Sequence, residues 1–117
     1  MSETDEFEML RKAYRDFNAQ CIEEVLAQMT DDVEWPNRLD GGYLHGKEAI
    51  REYWQRQFAM ANPQVEPLNI ERNAQGQFEV RVHQTVRDLE GKLLIDGEVK
   101  HVFTIRNGLI VRMDVKD

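Results

Sequence analysis

Residues 78–105 read FEVRVHQTVRDLEGKLLIDGEVKHVFTI, and apolar side chains alternate with polar ones on both sides of Gly91. Alternation with a period of two is typical of half-buried β-strands. Glu90 and Gly91 suit a two-residue turn, because glycine adopts positive φ without steric cost. The hairpin that results pairs three sets of apolar residues, which are Val86 with Ile95, Val82 with Val99, and Phe78 with Phe103.

This register predicts an inner and an outer face. The inner face is apolar apart from Gln84 and His101, whereas the outer face carries charges of both signs and is expected to be solvated. The outer group includes Arg87, Asp96, Glu98 and Lys100. If the assignment were inverted, this ionic group would lie inside and His101 outside.

The last hairpin allows two turns. A two-residue turn at Asn107 and Gly108 would place His101 opposite Asp114. A three-residue turn that also includes Arg106 keeps the apolar residues of both strands on one face, so burial favours it. The predicted partners in that case are Ile105 with Leu109, Phe103 with Val111, His101 with Met113, and Val99 with Val115.

The first half of the chain has helical periodicity. Three- and four-residue spacings predict a first helix that buries Phe7, Leu10, Tyr14 and Phe17, and a second helix with Ile22, Val25, Leu26 and Met29 on one face. A brief strand is predicted at residues 33–35, a third helix from 47 to about 61, and a further strand at 65–72. Three helices followed by antiparallel strands indicate an α+β domain.

Composition narrows the function. The chain has 117 residues, 22 acidic against 15 basic side chains, and a formal net charge of −7. Such a charge repels nucleic acids and anionic membranes, so neither is an expected partner. A single cysteine and an acidic N-terminus fit a cytoplasmic protein without a signal peptide. Scattered histidines and the lack of a phosphate-binding glycine loop predict no metal and no nucleotide cofactor. We expect one domain over residues 1–117.

Two segments carry a family resemblance, residues 46–54 (GKEAIREYW) and residues 101–110 (HVFTIRNGLI). Together with Asn18-Ala19 and Asp31-Asp32-Val33, they make nearly the whole chain similar to the SnoaL-like branch of the nuclear transport factor 2-like superfamily. The resemblance implies a cone-shaped α+β barrel, commonly a homodimer. In it, three N-terminal helices pack in the concave face of a strongly curved, mostly antiparallel sheet, and an apolar pocket lies at the open end. Members include ketosteroid isomerases, polyketide cyclases, epoxide hydrolases and non-catalytic proteins, so membership does not decide function.

This sequence does not have the catalytic residues of ketosteroid isomerase at the corresponding positions. That family uses an aspartate base with a tyrosine and a protonated aspartic acid. The resemblance places the base at Asn37, the tyrosine at Ala13, and the acid at His101, or at Lys100 if the turn lengths are equal. An amide cannot take up a proton as a carboxylate does, so a steroid-type isomerase is disfavoured. The cyclases use an aspartate on the last strand, where Asp114 lies nearby but points away from the predicted pocket.

His101 is the principal catalytic candidate, since a neutral imidazole in an apolar pocket can donate or accept a hydrogen bond near pH 7. Its alternative role is that of a core histidine bonded to a neighbouring group. Asp40 is a second catalytic candidate, with turn initiation as the alternative. The predicted ligand pocket combines aromatic walls with polar side chains, namely Tyr14, Trp35, Asn37, Tyr53, Trp54, Gln84, Phe103 and Met113.

The sequence thus predicts a protein that binds a small apolar or ring-shaped molecule, and His101 suggests acid/base chemistry of an isomerase or cyclase type. A non-catalytic, dimeric binding or assembly module is the alternative. A hydrolase or dehydratase resembling the epoxide hydrolases would require the ionic group of the outer face to lie inside. Whether the protein is an enzyme stays open at this point.

Overall fold

The computed structural model describes residues 3–38 and 40–116, so the first two residues of the acidic N-terminal segment lie outside the described part. Helices and strands follow in this order: α1 (Glu3–Asn18), α2 (Ile22–Leu26), β1 (Met29–Pro36), β2 (Tyr43–His45), α3 (Lys47–Met60), β3 (Ala61–Arg72), β4 (Phe78–Asp88), β5 (Leu93–Arg106) and β6 (Leu109–Lys116). The predicted α+β class with three N-terminal helices is confirmed. Within the described residues, no helix has the length and apolar character that crossing a membrane requires.

The six strands form one sheet in the order β2-β1-β6-β5-β4-β3. Neighbouring strands are antiparallel except β1 and β6, which run parallel. The sheet is therefore mixed and mostly antiparallel, as predicted. It is open rather than closed into a barrel, because β2 and β3 lie at its two edges.

One apolar core joins the helices to the sheet. Leu10, Ile50 and Val80 are fully buried in it, and Trp54 is 2% exposed. These residues come from α1, α3 and β4, so the helices cover the apolar face of the strands. The burial of large side chains on both layers is what drives this packing.

The boundary between α2 and β1 differs from the prediction. The helical spacing predicts Met29 in the second helix, but α2 ends at Leu26 and Met29 begins β1, where it is 1% exposed. Thr30, Asp31 and Asp32 belong to the strand instead of only ending the helix. Met29 pairs with Ile110 of β6 and joins the apolar core as a strand residue, so its helical spacing was misleading.

The start of β3 also differs. The third helix ends at Met60, and β3 begins immediately at Ala61 instead of at Val65. The early start comes from β4, since Ala61 already pairs with Asp88. Further along β3, the Asn18 amide at the end of α1 bonds the backbone of Val65 twice. The Asn18 Nδ2 donates to the Val65 carbonyl at 2.8 Å, and the Val65 N–H donates to Asn18 Oδ1 at 2.8 Å. The Asn18 side chain therefore acts as a short strand partner at this edge of the sheet.

In the β4–β5 hairpin, all three predicted apolar pairs are confirmed. The loop is longer than expected, because the Asp88 N–H donates to the Lys92 carbonyl and three residues lie between them. The register then shifts by one residue between the Val86–Ile95 and Arg87–Leu93 pairs. The Asp88 carboxylate favours this loop by accepting from the N–H groups of Glu90 and Lys92, each at 2.9 Å. The residues of the inner face still point inward, because the register shift at the end of the hairpin compensates for the extra residue in the loop.

In the β5–β6 hairpin, the predicted three-residue turn is wrong. Asn107 and Gly108 form a two-residue turn, both with positive φ (54° and 78°), as the Asn-Gly sequence favours. A β-bulge follows, which restores the apolar face after the turn. The partners are Ile105 with Ile110, Phe103 with Met113, and His101 with Val115.

Candidate functional site

A cavity of about 140 Å³ lies between the helices and the inner face of the sheet. Its aromatic walls come from α1, β1, α3 and β5. The rings of Trp35 and Trp54 meet edge to face, with centroids 5.5 Å apart, and Phe103 packs against Tyr14 and Trp35. Such a surface suits the faces and edges of a flat ring.

The structure brings the predicted pocket residues together with one exception. The lining includes His101 and Tyr14, Trp35, Tyr53, Trp54, Gln84, Phe103 and Met113. Tyr53 and Trp54, which are neighbours on α3, both line the cavity. On β5, the odd-numbered residues Val99, His101 and Phe103 face it, whereas Lys100 pairs with Glu79 on the outer side at 3.3 Å.

Asn37 and Asp40 do not line the cavity. The Asp40 N–H donates to Asn37 Oδ1 at 3.0 Å, and the Asn37 backbone bonds Gly41 and Gly42. The Asn37 side chain therefore holds the turn between β1 and β2, and Asp40 contributes its backbone N–H to that turn. Asp40 is exposed and lies outside the cavity lining.

Tyr14 and His101 form a hydrogen-bonded pair inside the cavity. The Tyr14 Oη lies 2.7 Å from His101 Nδ1, and the two rings are nearly parallel at 9°. The resemblance places the family's tyrosine at Ala13. Ala13 and Tyr14 both line the cavity, and it is Tyr14 that reaches the histidine.

Both members of the pair are neutral. Burial lowers the pKa of His101 from its usual 6.5 to about 4, and the positive charge of Arg38 adds to this effect. Burial raises the pKa of Tyr14 well above its usual value. Near pH 7 the site thus holds an uncharged imidazole and an uncharged phenol.

The pair presents one hydrogen-bond donor to the cavity. A phenol is a stronger donor than a neutral imidazole, so we assign the Tyr14 O–H as donor to Nδ1 and the remaining ring proton to Nε2. His101 Nε2 has no hydrogen-bond partner among the described residues. In the same part of the chain, every polar side-chain atom that is fully enclosed has a partner, so Nε2 is not fully enclosed. The Nε2–H is therefore accessible from the cavity and can bind an acceptor atom such as a carbonyl oxygen.

Sequence reasoning missed several lining residues, including Arg38, Gln57 and Gln64. Gln57 lies three and four residues after Trp54 and Tyr53, so helical spacing would have placed it on the same face. Arg38 follows β1 in the loop, where no periodicity operates. Its backbone N–H donates to the Tyr53 Oη at 3.3 Å, which fixes this part of the loop beside the cavity.

Asp114 lies on the outer face, as predicted. Its carboxylate binds the Arg112 guanidinium at 3.1 Å and accepts a hydrogen bond from Tyr43. Arg112 also pairs with Glu34 at 3.3 Å and stacks on the Tyr43 ring. These contacts tie β2 and β1 to β6, and the Arg112 hydrogen bond chiefly lowers the pKa of Asp114. Asp114 is thus engaged in a network outside the cavity.

No group of three or more histidine, cysteine or carboxylate side chains is placed to hold a metal ion in the described ranges. The cavity therefore offers a ligand its aromatic walls, the Nε2–H donor of His101, Arg38 and the amide side chains of three glutamines.

Comparison with known proteins identifies a family and several solved structures that are similar to this chain. The family model of the SnoaL-like domain matches residues 10–113. No curated protein matches the sequence at a significant level. Several solved structures are similar over nearly their whole length.

SalBIII, described as an epoxide hydrolase/cyclase-like enzyme in pyran ring formation in the polyether salinomycin, is 18% identical with a TM-score of 0.84; the match covers 98% of this chain and 92% of that one. TerC, co-crystallized with polyporic acid, is 23% identical with a TM-score of 0.82, and coverage is 97% and 92%. The protein RV0760c from Mycobacterium tuberculosis, in complex with estradiol-17beta-hemisuccinate, is 19% identical with a TM-score of 0.80, and coverage is 93% and 90%. At these identities the likeness shows the fold alone.

Proposed function

Because the chain belongs to the SnoaL-like domain family, we propose that it binds a small ring-shaped molecule in the cavity and holds a carbonyl oxygen of that molecule at His101 Nε2–H. The observation that carries this proposal is the neutral Tyr14–His101 pair, with a free donor, inside an aromatic cavity. The proteins of similar fold that were crystallised with polyporic acid and with an estradiol derivative support a ring-shaped ligand.

Acid/base chemistry at His101 extends this proposal. No carboxylate lines the cavity within the described residues, so the imidazole is the group there best suited to acid/base work. In the assigned tautomer Nε2 carries a proton and Nδ1 accepts from the Tyr14 O–H, so His101 acts as the acid in this proposal. Its Nε2–H donates to the carbonyl oxygen, which makes a proton on the neighbouring carbon easier to lose to water. A pKa of about 4 makes His101 a weak base at pH 7, so we place binding before catalysis.

The test is a titration with acetophenone, a planar ring that carries one carbonyl, followed by tryptophan fluorescence. Trp35 and Trp54 line the cavity, so a bound ring is expected to change their emission in a saturable way. Val99→Phe places a larger side chain at a half-buried lining position and is expected to weaken binding at least about tenfold, since the cavity holds little more than one ring.

Leu68→Phe is the matched control, because Leu68 also lies on a strand of the sheet, is 42% exposed and does not line the cavity. It is expected to bind acetophenone as the unmodified protein does. An equal loss in both variants, or a titration that does not saturate with the unmodified protein, contradicts the proposed binding function.

A dimeric binding or assembly module is the second candidate. Large apolar side chains are exposed around the end of the β4–β5 hairpin, and they include Leu89, Leu93, Leu94 and Ile95. Exposed apolar groups of this kind favour association between proteins. We propose a homodimer on this basis. We also propose that the protein is cytoplasmic, because Cys21 is an exposed free cysteine, and that residues 1–117 form one domain. Light scattering that gives the mass of a monomer at micromolar concentration would refute the dimer.

A further inference from the structure

The charge of the cavity differs from that of the chain. The chain has a net charge of −7, yet no aspartate or glutamate lines the cavity within the described residues. Arg38 is the single formally charged lining residue there. The cavity is thus locally positive in an acidic protein.

Arg38 stands at the mouth of the cavity. It is exposed, whereas the other lining residues are buried or half-buried. Its guanidinium forms no ion pair with the side chains that the structure describes, although the chain has an excess of carboxylates. Its charge nevertheless acts inside the cavity, since it contributes to the low pKa of His101. A cation that faces an apolar cavity without a partner is suited to bind an anion.

The size of the cavity limits the ligand. A volume of about 140 Å³ is close to that of an apolar protein cavity of roughly 150 Å³ that accepts benzene. A single six-membered ring therefore fills the enclosed part, and substituents must extend toward the mouth. The side chain that such a substituent meets at the exposed edge is Arg38.

We propose that the preferred ligand is a single-ring organic carboxylate whose ring occupies the cavity and whose carboxylate binds the Arg38 guanidinium. This inference rests on the proposed binding function and adds the charge and size of the ligand. Arg38 acts in it as a specificity-determining residue, since it distinguishes an acid from its neutral ester. The aromatic walls and the Tyr14–His101 pair bind the ring and its carbonyl in either case.

The experiment compares 4-acetylbenzoate with methyl 4-acetylbenzoate, which share the ring and the acetyl carbonyl and differ in charge. We expect the acid to bind about tenfold more tightly than the ester at low ionic strength, because a charge-assisted hydrogen bond to arginine is stronger than a neutral one. The preference is expected to shrink with added salt, since Arg38 is exposed. Dissociation constants from tryptophan fluorescence measure both effects.

Arg38→Gln is expected to abolish the preference, so that the acid binds no more tightly than the ester. Arg56→Gln is the matched control, because Arg56 is an exposed arginine of α3 outside the cavity lining, and this variant is expected to keep the preference. Thermal unfolding confirms that both variants are folded.

Equal affinity for acid and ester in the unmodified protein, or a preference that survives Arg38→Gln, overturns the inference about Arg38 and leaves the binding function standing. Failure of both compounds and of acetophenone to bind overturns the proposed function itself, and the inference with it. The two failures are therefore distinguishable.

Discussion

Replacement of Trp54 by alanine is expected to reduce the free energy of unfolding by about 3–5 kcal/mol, the range for deleting a buried aromatic side chain. Trp54 is 2% exposed and meets Phe17 and Trp35 edge to face, with centroids 5.4 and 5.5 Å away. Its loss would separate α3 from α1 and β1 and leave a void that the neighbouring side chains fill only in part. Denaturant unfolding, followed by circular dichroism, measures the change.

Trp54→Phe serves as the control, because it keeps an aromatic ring between the same neighbours. It is expected to cost about 1–2 kcal/mol, clearly less than the alanine variant. A loss below about 1 kcal/mol for Trp54→Ala would contradict the packing of the helices on the sheet at this wall of the cavity.

His101 is expected to make the protein less stable in mild acid, by up to about 3 kcal/mol between pH 6.5 and 4. Its pKa in the folded protein is about 4, below the usual 6.5 of the unfolded chain. Between these two values the unfolded chain binds a proton that the folded protein does not. The stability is therefore fully present above pH 6.5 and decreases as the pH falls toward 4.

His101→Gln isolates this effect, since glutamine does not titrate. The difference in unfolding free energy between the two proteins is expected to change with pH over this window and to be constant above it. His83 titrates in both proteins and its contribution cancels. Its pKa is raised by a hydrogen bond to Asp96, so it acts in the opposite direction. Parallel stability curves from pH 4 to 7 would show that His101 is not buried in its neutral form.

The inner face of the sheet was predictable because burial determines it. In each hairpin the predicted loop length was wrong, and an irregularity of one residue restored the apolar face. Asp88 lengthened the first loop through hydrogen bonds of its carboxylate, and Asn107-Gly108 shortened the second by adopting positive φ at both residues. Turn chemistry acts locally, whereas burial acts over whole strands. The predicted inward orientation of His101 was therefore correct, while its predicted partner on β6 was wrong.

The Tyr14–His101 bond was not predictable from spacing. The two residues are 87 positions apart, and their contact depends on how α1 crosses β5, which no periodicity specifies. Arg38 escaped prediction for a related reason, since it lies in a loop after β1 and is placed by a backbone hydrogen bond to Tyr53. Trp35, Tyr53 and Trp54, in contrast, were found because apolar patterns in strands and helices indicate the core.

The nitrogen signals of His101 during a titration with acetophenone test the central claim most directly. In the free protein, ¹⁵N NMR is expected to show a protonated Nε2 and an unprotonated Nδ1 at pH 7. Saturation with acetophenone is expected to shift the Nε2 signal with the dissociation constant that tryptophan fluorescence gives, while the signals of His45 and His83 stay in place. A His101 imidazole that is unchanged at saturating ligand would contradict the claim that the Tyr14–His101 pair binds the carbonyl.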